Sequence, residues 1–120
     1  MRYRVNRSDT TRKPHKYGAV RTEIDGISFA SKAEAKRYAE LKLLEKACEI
    51  QGLELQPAFE LVTIDSMSRR QRVGAYVADF RYYVGFQEIV EDVKGVKTPL
   101  YNWKKKHFQA QYGITITEVA

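Results

Sequence analysis

The stretch that decides the fold is Val73-Gly74-Ala75-Tyr76-Val77-Ala78-Asp79-Phe80-Arg81-Tyr82-Tyr83-Val84-Gly85-Phe86-Gln87-Glu88-Ile89-Val90-Glu91-Asp92-Val93-Lys94-Gly95. Val, Ile, Tyr and Phe dominate both arms, Val73 to Val84 and Glu88 to Lys94, and Gly85-Phe86 divides them. The pattern predicts a β-hairpin closed by a two-residue type II′ turn. A two-residue loop between Val84 and Gln87 pairs residues whose numbers sum to 171, which sets Asp79 across from Asp92. Opposed strand residues have Cβ atoms roughly 4.5–5.5 Å apart, where two carboxylates repel unless a positive charge lies between them. Lys94 returns to the same face two residues on, whereas Glu91 points to the other face beside Phe80. Asp79, Asp92 and Lys94 therefore converge, and a bound divalent cation accounts for the convergence most simply. Two blander accounts use the same residues: Asp79 as a strand-end residue, and Lys94 as a charge that blunts an exposed edge. A three-residue turn would shift the register by one and separate the aspartates.

A chain of 120 residues with 43% hydrophobic content fits one compact domain. The single Cys48 excludes an internal disulfide; it is read as a small packing residue within a helix, and a reducing, cytoplasmic setting is expected. No run approaches 18 apolar residues and no apolar signal-peptide core is seen, so neither membrane insertion nor secretion is indicated. Charge is uneven. Arg2, Arg4, Arg7, Arg12, Lys13, Lys16 and Arg21 against Asp9 alone account for the whole net charge of +6, leaving the rest of the chain balanced. Residues 1–16 hold too little apolar content to order themselves and read as a flexible basic arm on a domain spanning residues 17–120. Such an arm is either a solvated tail or a source of phosphate affinity.

Asp25-Gly26, between Val20 to Ile24 and Ile27 to Ala30, signals a type I′ hairpin. Ser31 is an N-cap, with Glu34 three residues on, for a helix from Lys32 to about Glu49. Residues 53–64 read as one strand entered through Gln56-Pro57, and Asp65 to Arg72 as a polar loop. Thr98-Pro99 opens a second helix closed by Gly113, and Ile114 to Val119 alternates as a last strand. Without the leading hairpin the order is αβββαβ, a mixed α/β sheet architecture. Tyr38, Leu41, Leu44 and Cys48 form the apolar arc of the first helix, and Glu34 falls within it, aimed at the sheet. Glu34 could equally close a capping box on Ser31, and one carboxylate cannot serve both roles. In the second helix Lys104, Lys105 and Lys106 step by about 100° and cannot share a face. Tyr101, Phe108 and Tyr112 occupy one arc, and Leu100, Trp103, His107 and Ala110 roughly the other.

Glu34, Asp79 and Asp92-Val93-Lys94 in this element order resemble the PD-(D/E)xK nuclease superfamily. More closely, Lys16-Tyr17-Gly18, Asp25 to Ala35, Leu55-Gln56-Pro57, Tyr76 to Phe80 and Val90 to Gly95 are similar to a family of small phage-encoded proteins in that superfamily. The likeness covers roughly residues 16–119; Ala78 stands where the superfamily name has Pro. The resemblance implies a restriction-endonuclease-like αβββαβ core and Mg2+- or Mn2+-dependent hydrolysis of DNA phosphodiesters. Asp79 and Asp92, with Glu34 and the Val93 carbonyl, would be the metal ligands, hard oxygen donors suited to those ions. Lys94 would complete the catalytic set with Glu34, Asp79 and Asp92, orienting water or stabilising the transition state. Gln56 and Glu91 are auxiliary candidates, and Lys97, Lys104 and Arg21 join the arm cations as DNA contacts. Relatives so implied include Holliday-junction resolvases, transposon-end nucleases and repair or restriction enzymes; junction resolution would demand a homodimer to cut two strands.

Other chemistries lack residues. His15 and His107 are the only histidines, which leaves a zinc site without ligands, and no GxxxxGK[ST] loop exists for a nucleotide cofactor. The rival reading is a DNA-binding or phage accessory protein that keeps this fold without cleaving.

Overall fold

The computed structural model describes residues 21–120. Both turn signals act as read. Asp25 and Gly26 take φ values of 55° and 77°, the two positive angles of a type I′ turn, and join β1 (Thr22–Ile24) to β2 (Ile27–Phe29). Between β6 (Phe80–Val84) and β7 (Gln87–Val93) only Gly85 is positive, at 62°, as a type II′ turn requires. Phe80 pairs with Glu91 and Val84 with Gln87, so the register sum of 171 holds.

The caps also hold. Ser31 Oγ accepts the Glu34 N–H at 3.1 Å to open α1 (Lys32–Lys46). Thr98 Oγ1 accepts the Tyr101 N–H to open α2 (Pro99–Tyr112), which Gly113 closes at φ 71°. Helix α1 stops short of the expected Glu49: Cys48 N–H reaches the Glu45 carbonyl and Glu49 N–H the Leu44 carbonyl, a Schellman turn with Cys48 left-handed at φ 62°. Cys48 is thus an exposed cap residue rather than a packed helical one.

Two expected strands are each divided. Residues 53–64 form β3 (Gln51–Leu55) and β4 (Ala58–Ile64), and the arm read as Val73 to Val84 forms β5 (Arg70–Val77) and β6. The four belong to one long antiparallel ribbon, because Leu55 faces Phe80 and Ala58 faces Val77 in a single register. The ladder passes through the break by Gln56 N–H to Asp79 O at 2.9 Å and Ala78 N–H to Pro57 O at 3.0 Å. Gln56, at φ 54°, supplies the bend. Beyond it β4 and β5 leave the sheet, and the polar loop shortens to 65–69 because pairing begins at Arg70.

The main sheet has the order β3-β6-β7-β8, where β8 (Thr117–Val119) is shorter than expected and runs parallel to β7. Stripped of the β1–β2 hairpin and the β4–β5 excursion, the core order is α1, β3, β6, β7, α2, β8. Helix α1 covers one face, where Ala35, Tyr38 and Leu41 pack with Phe29, Phe80 and Tyr82. Helix α2 and the bent ribbon close the other, where Tyr101 and Phe108 meet Phe59, Leu61, Tyr76 and Val90. The Phe59 and Phe108 rings meet edge to face at 4.8 Å, a contact contributing about 1 kcal/mol beyond its buried area. β4 would present an unpaired edge, but α2 satisfies it: Gln111 bonds Val62 N–H and Glu60 O, Tyr112 donates to Glu60 O, and His107 Nε2–H donates to Val62 O. No described helix is long and apolar enough to cross a membrane.

Candidate functional site

The ribbon bend and the end of β7 meet beside the N-terminus of α1. Asp79 lies at the bend; its N–H donates to Glu91 O at 3.1 Å, extending the β6–β7 register so that it stands opposite Asp92. Its Oδ2 accepts the Val93 N–H at 2.8 Å. Asp92 is 1% exposed. It accepts a short hydrogen bond from the Tyr76 hydroxyl, and Lys94 Nζ stands 3.5 Å from its other oxygen. The two carboxyl groups are close enough to share a proton. Burial, and then the proton held against Asp79, push the Asp92 carboxyl up to about 7, and burial raises Asp79 as well. Two acids are thus held where only one readily ionises, so the pair favours a cation.

Glu34 projects from the first turn of α1 and is buried. Its backbone completes the Ser31 cap, but its carboxylate does not turn back to Ser31. It accepts from Gln56 Nε2 at 3.2 Å and from the Ala30 N–H, and its charge interacts with Asp92, Arg21 and Lys94. Burial raises its pKa most, and the Ala30 bond opposes that rise. Gln56 therefore joins Glu34 to the bend that carries Asp79, and its strained left-handed backbone is part of that connection.

Lys94 also lies over the Tyr101 ring, 4.4 Å from its centre. The Tyr101 hydroxyl donates to Glu118 at 2.7 Å, and Glu118 pairs with Lys97 and Lys105 at 3.0 Å each. These three donors, Tyr101 foremost, hold Glu118 down at about 2. Helix α2 and β8 thereby fix the ring against which the Lys94 ammonium rests.

Residues 14–118 match the family described as Protein of unknown function (DUF1064). The chain belongs to that DUF1064 family. No curated protein and no solved structure is similar at a significant level. The matched segment of this DUF1064 domain contains Glu34, Gln56, Asp79, Asp92 and Lys94.

Among the described residues, no group of three or more His, Cys, Asp or Glu is arranged to hold a metal ion. The donor set nonetheless suits Mg2+, which is commonly held through one or two carboxylates and completes its shell with water and substrate phosphate. Asp79 and Asp92 supply those two, and Glu34, tied to Gln56 and Ala30, stands beside them. Val93 contributes its N–H to orient Asp79. Glu91 corrects its expected auxiliary role. It faces α1, is fully buried, and has both oxygens engaged by Arg37, at 2.8 and 2.6 Å, with Tyr82 as a further donor. It anchors α1 to β7 and takes no part in the aspartate pair.

Of the expected DNA contacts, Arg21 bonds Ser28 Oγ and lies near Glu34, Lys97 is paired with Glu118, and Lys104 makes no ion pair among the described residues. Arg2, Arg4, Arg7, Arg12, Lys13 and Lys16 lie outside the described residues. Sequence reasoning missed Tyr76 and Arg37. Tyr76 sits in an apolar strand pattern, and its one signal is that a buried tyrosine needs a hydroxyl partner.

Proposed function

We propose that this protein is a divalent-metal-dependent endodeoxyribonuclease of the PD-(D/E)xK kind, acting in the cytoplasm. The observation that carries this reading is the half-buried Asp79 opposed to the buried Asp92, with Lys94 3.5 Å from Asp92. Asp79 and Asp92 would hold Mg2+ or Mn2+, with Glu34 beside them. Such an ion, when bound, supplies Lewis-acid charge neutralisation and a water of lowered pKa. Tyr76 and the Val93 N–H hold the two aspartates in place, so little reorganisation is needed on binding. Lys94, seated on Tyr101, presents a fixed ammonium to a phosphate approaching the pair and stabilises the charge that develops on its oxygens. Gln56, exposed at the bend, is free on one side to contact the same phosphate group's neighbours.

The second reading, a DNA-binding accessory protein that does not cleave, is favoured by one observation. Asp92 already has protein partners, the Tyr76 hydroxyl and Lys94, without a metal. Manganese binding followed by electron paramagnetic resonance, beside cleavage of linear, nicked, flapped and four-way DNAs in Mg2+, decides between the two. The nuclease reading predicts one ion bound, loss of that ion in Asp92→Asn, and cleavage of at least one substrate. Absence of both binding and cleavage leaves the accessory role.

A further inference from the structure

Helix α2 presents a second surface that the aspartate pair does not use. Tyr101, Lys105 and Phe108 turn inward, but Trp103 is 75% exposed and Leu100 60%. Trp103 walls a groove of about 450 Å³ between α2 and β4, lined also by Lys106, His107, Ala110, Val62 and Thr63. It is a shallow, open groove rather than an enclosed cavity. The groove is preformed. His107 and Gln111 are bonded to the Val62 backbone, and Phe108 locks the helix onto Phe59 beneath.

Charge decides what fits there. Helix α2 contains three lysines and no acid. Glu118 neutralises Lys105, whereas Lys104 and Lys106 make no ion pair among the described residues. Across the groove, Val62 pairs with Arg72, and Arg70 and Arg72 share the single Glu60 at 2.9 and 3.5 Å, leaving one positive charge in excess. A protein partner or a second copy would seat its interface core on apolar surface from which lysine is depleted, and Lys104 and Lys106 flank this indole on either side along the helix. A duplex hides the faces of its bases. An exposed indole beside unpaired cations matches the needs of an unpaired base and its phosphates.

We propose that the Trp103 groove binds single-stranded DNA, with a base stacked on the indole and Lys104 and Lys106 on the flanking phosphates. The groove stands on its own geometry. The choice of DNA, and the consequence that the substrate carries an unpaired strand beside the scissile duplex, rest on the nuclease reading.

Trp103 is the one tryptophan of the chain, so indole fluorescence, excited at the red edge where tyrosine does not absorb, reports on this groove. The full chain, in chelator, is titrated with an oligo(dT) of about 12 nucleotides and, separately, with blunt duplex at equal phosphate concentration. Saturable quenching by oligo(dT) and none by duplex is expected. With a labelled oligo(dT) followed by anisotropy, Trp103→Ala should bind about tenfold more weakly, and Trp103→Phe, which keeps a stacking ring, within about threefold of the parent. Replacing Lys104 and Lys106 together by Ala should flatten the log-log salt slope by about 1.4. Equal quenching by both DNAs, parental affinity in Trp103→Ala, or a fluorescence shift with protein concentration in the absence of DNA would each overturn the proposal. Quenching without Mg2+-dependent cleavage upholds the groove and removes the nuclease; cleavage without quenching does the reverse.

Discussion

Replacing Asp92 with Asn should stabilise the metal-free protein at about pH 8, the opposite of what most substitutions at a 1%-exposed position do. The Asp92 carboxyl is pushed up to about 7 by burial and by its neighbour Asp79, against about 3.9 in an unfolded chain. At about 1.4 kcal/mol per pKa unit, ionising the folded pair costs at most about 4 kcal/mol. Asn keeps an acceptor for Tyr76 but gives up the Lys94 attraction, which leaves a net gain of about 1–2 kcal/mol. Because the folded-state value lies above the unfolded one, the folded protein holds an extra proton between about pH 4 and pH 7. The stabilisation from that proton is complete below about pH 4 and is lost as pH rises through about 7. The parent should therefore lose more stability across this window than the variant, which keeps only the burial-raised Asp79. In melting experiments with chelator the two should agree near pH 4 and differ by about 5–10 °C at pH 8, with the variant higher. Added Mg2+ should raise the parent at pH 8 and leave the variant unchanged, since it replaces the missing proton between the aspartates. A variant that melts at or below the parent at pH 8 in chelator would refute the claim that burial and the neighbouring Asp79 hold Asp92 where its charge is disfavoured.

Arg37→Ala leaves Glu91 buried with Tyr82 as its remaining side-chain donor, and denaturant unfolding should register a loss of about 3 kcal/mol. Glu34→Gln keeps the backbone bond to Ser31 that caps α1, so stability should change by less than about 1 kcal/mol; cleavage in Mg2+ should fall, and full activity would confine Glu34 to a structural role. Deleting residues 1–16 removes six Lys and Arg and should flatten the salt slope of duplex binding by about 2–4, with turnover at saturating DNA preserved. An unchanged slope would make the arm a solvated tail.

The parts of this fold that were legible in the sequence are those set by local stereochemistry. Asp25-Gly26 and Gly85-Phe86 determine their turns, and through Gly85-Phe86 the register that faces Asp79 with Asp92. Ser31, Thr98-Pro99 and Gly113 cap their helices as read. The ribbon bend was not legible, because alternation runs through 53–61 across the break, 73–84 is almost continuously apolar, and the pairing register is the same on both sides of the break. Only Gln56-Pro57 marks it, and a proline is equally compatible with a strand's first residue. The partners that organise the site lie far apart in the chain. Tyr76 reaches Asp92 across 16 residues, Arg37 reaches Glu91 across 54, and Gln56 reaches Glu34 across 22. No periodicity encodes such pairs; they follow from packing α1 and the bent ribbon onto one sheet.

The most direct test of the central claim is single-turnover cleavage in Mg2+ of the DNA that the parent protein cuts, measured for the parent, Asp79→Asn, Asp92→Asn and Lys94→Ala. Each aspartate variant should lose about 100-fold or more in rate together with its bound ion, and Lys94→Ala should lose rate while retaining the ion. Undiminished cleavage by Asp92→Asn would contradict the account, because no chemistry would then pass through the aspartate pair.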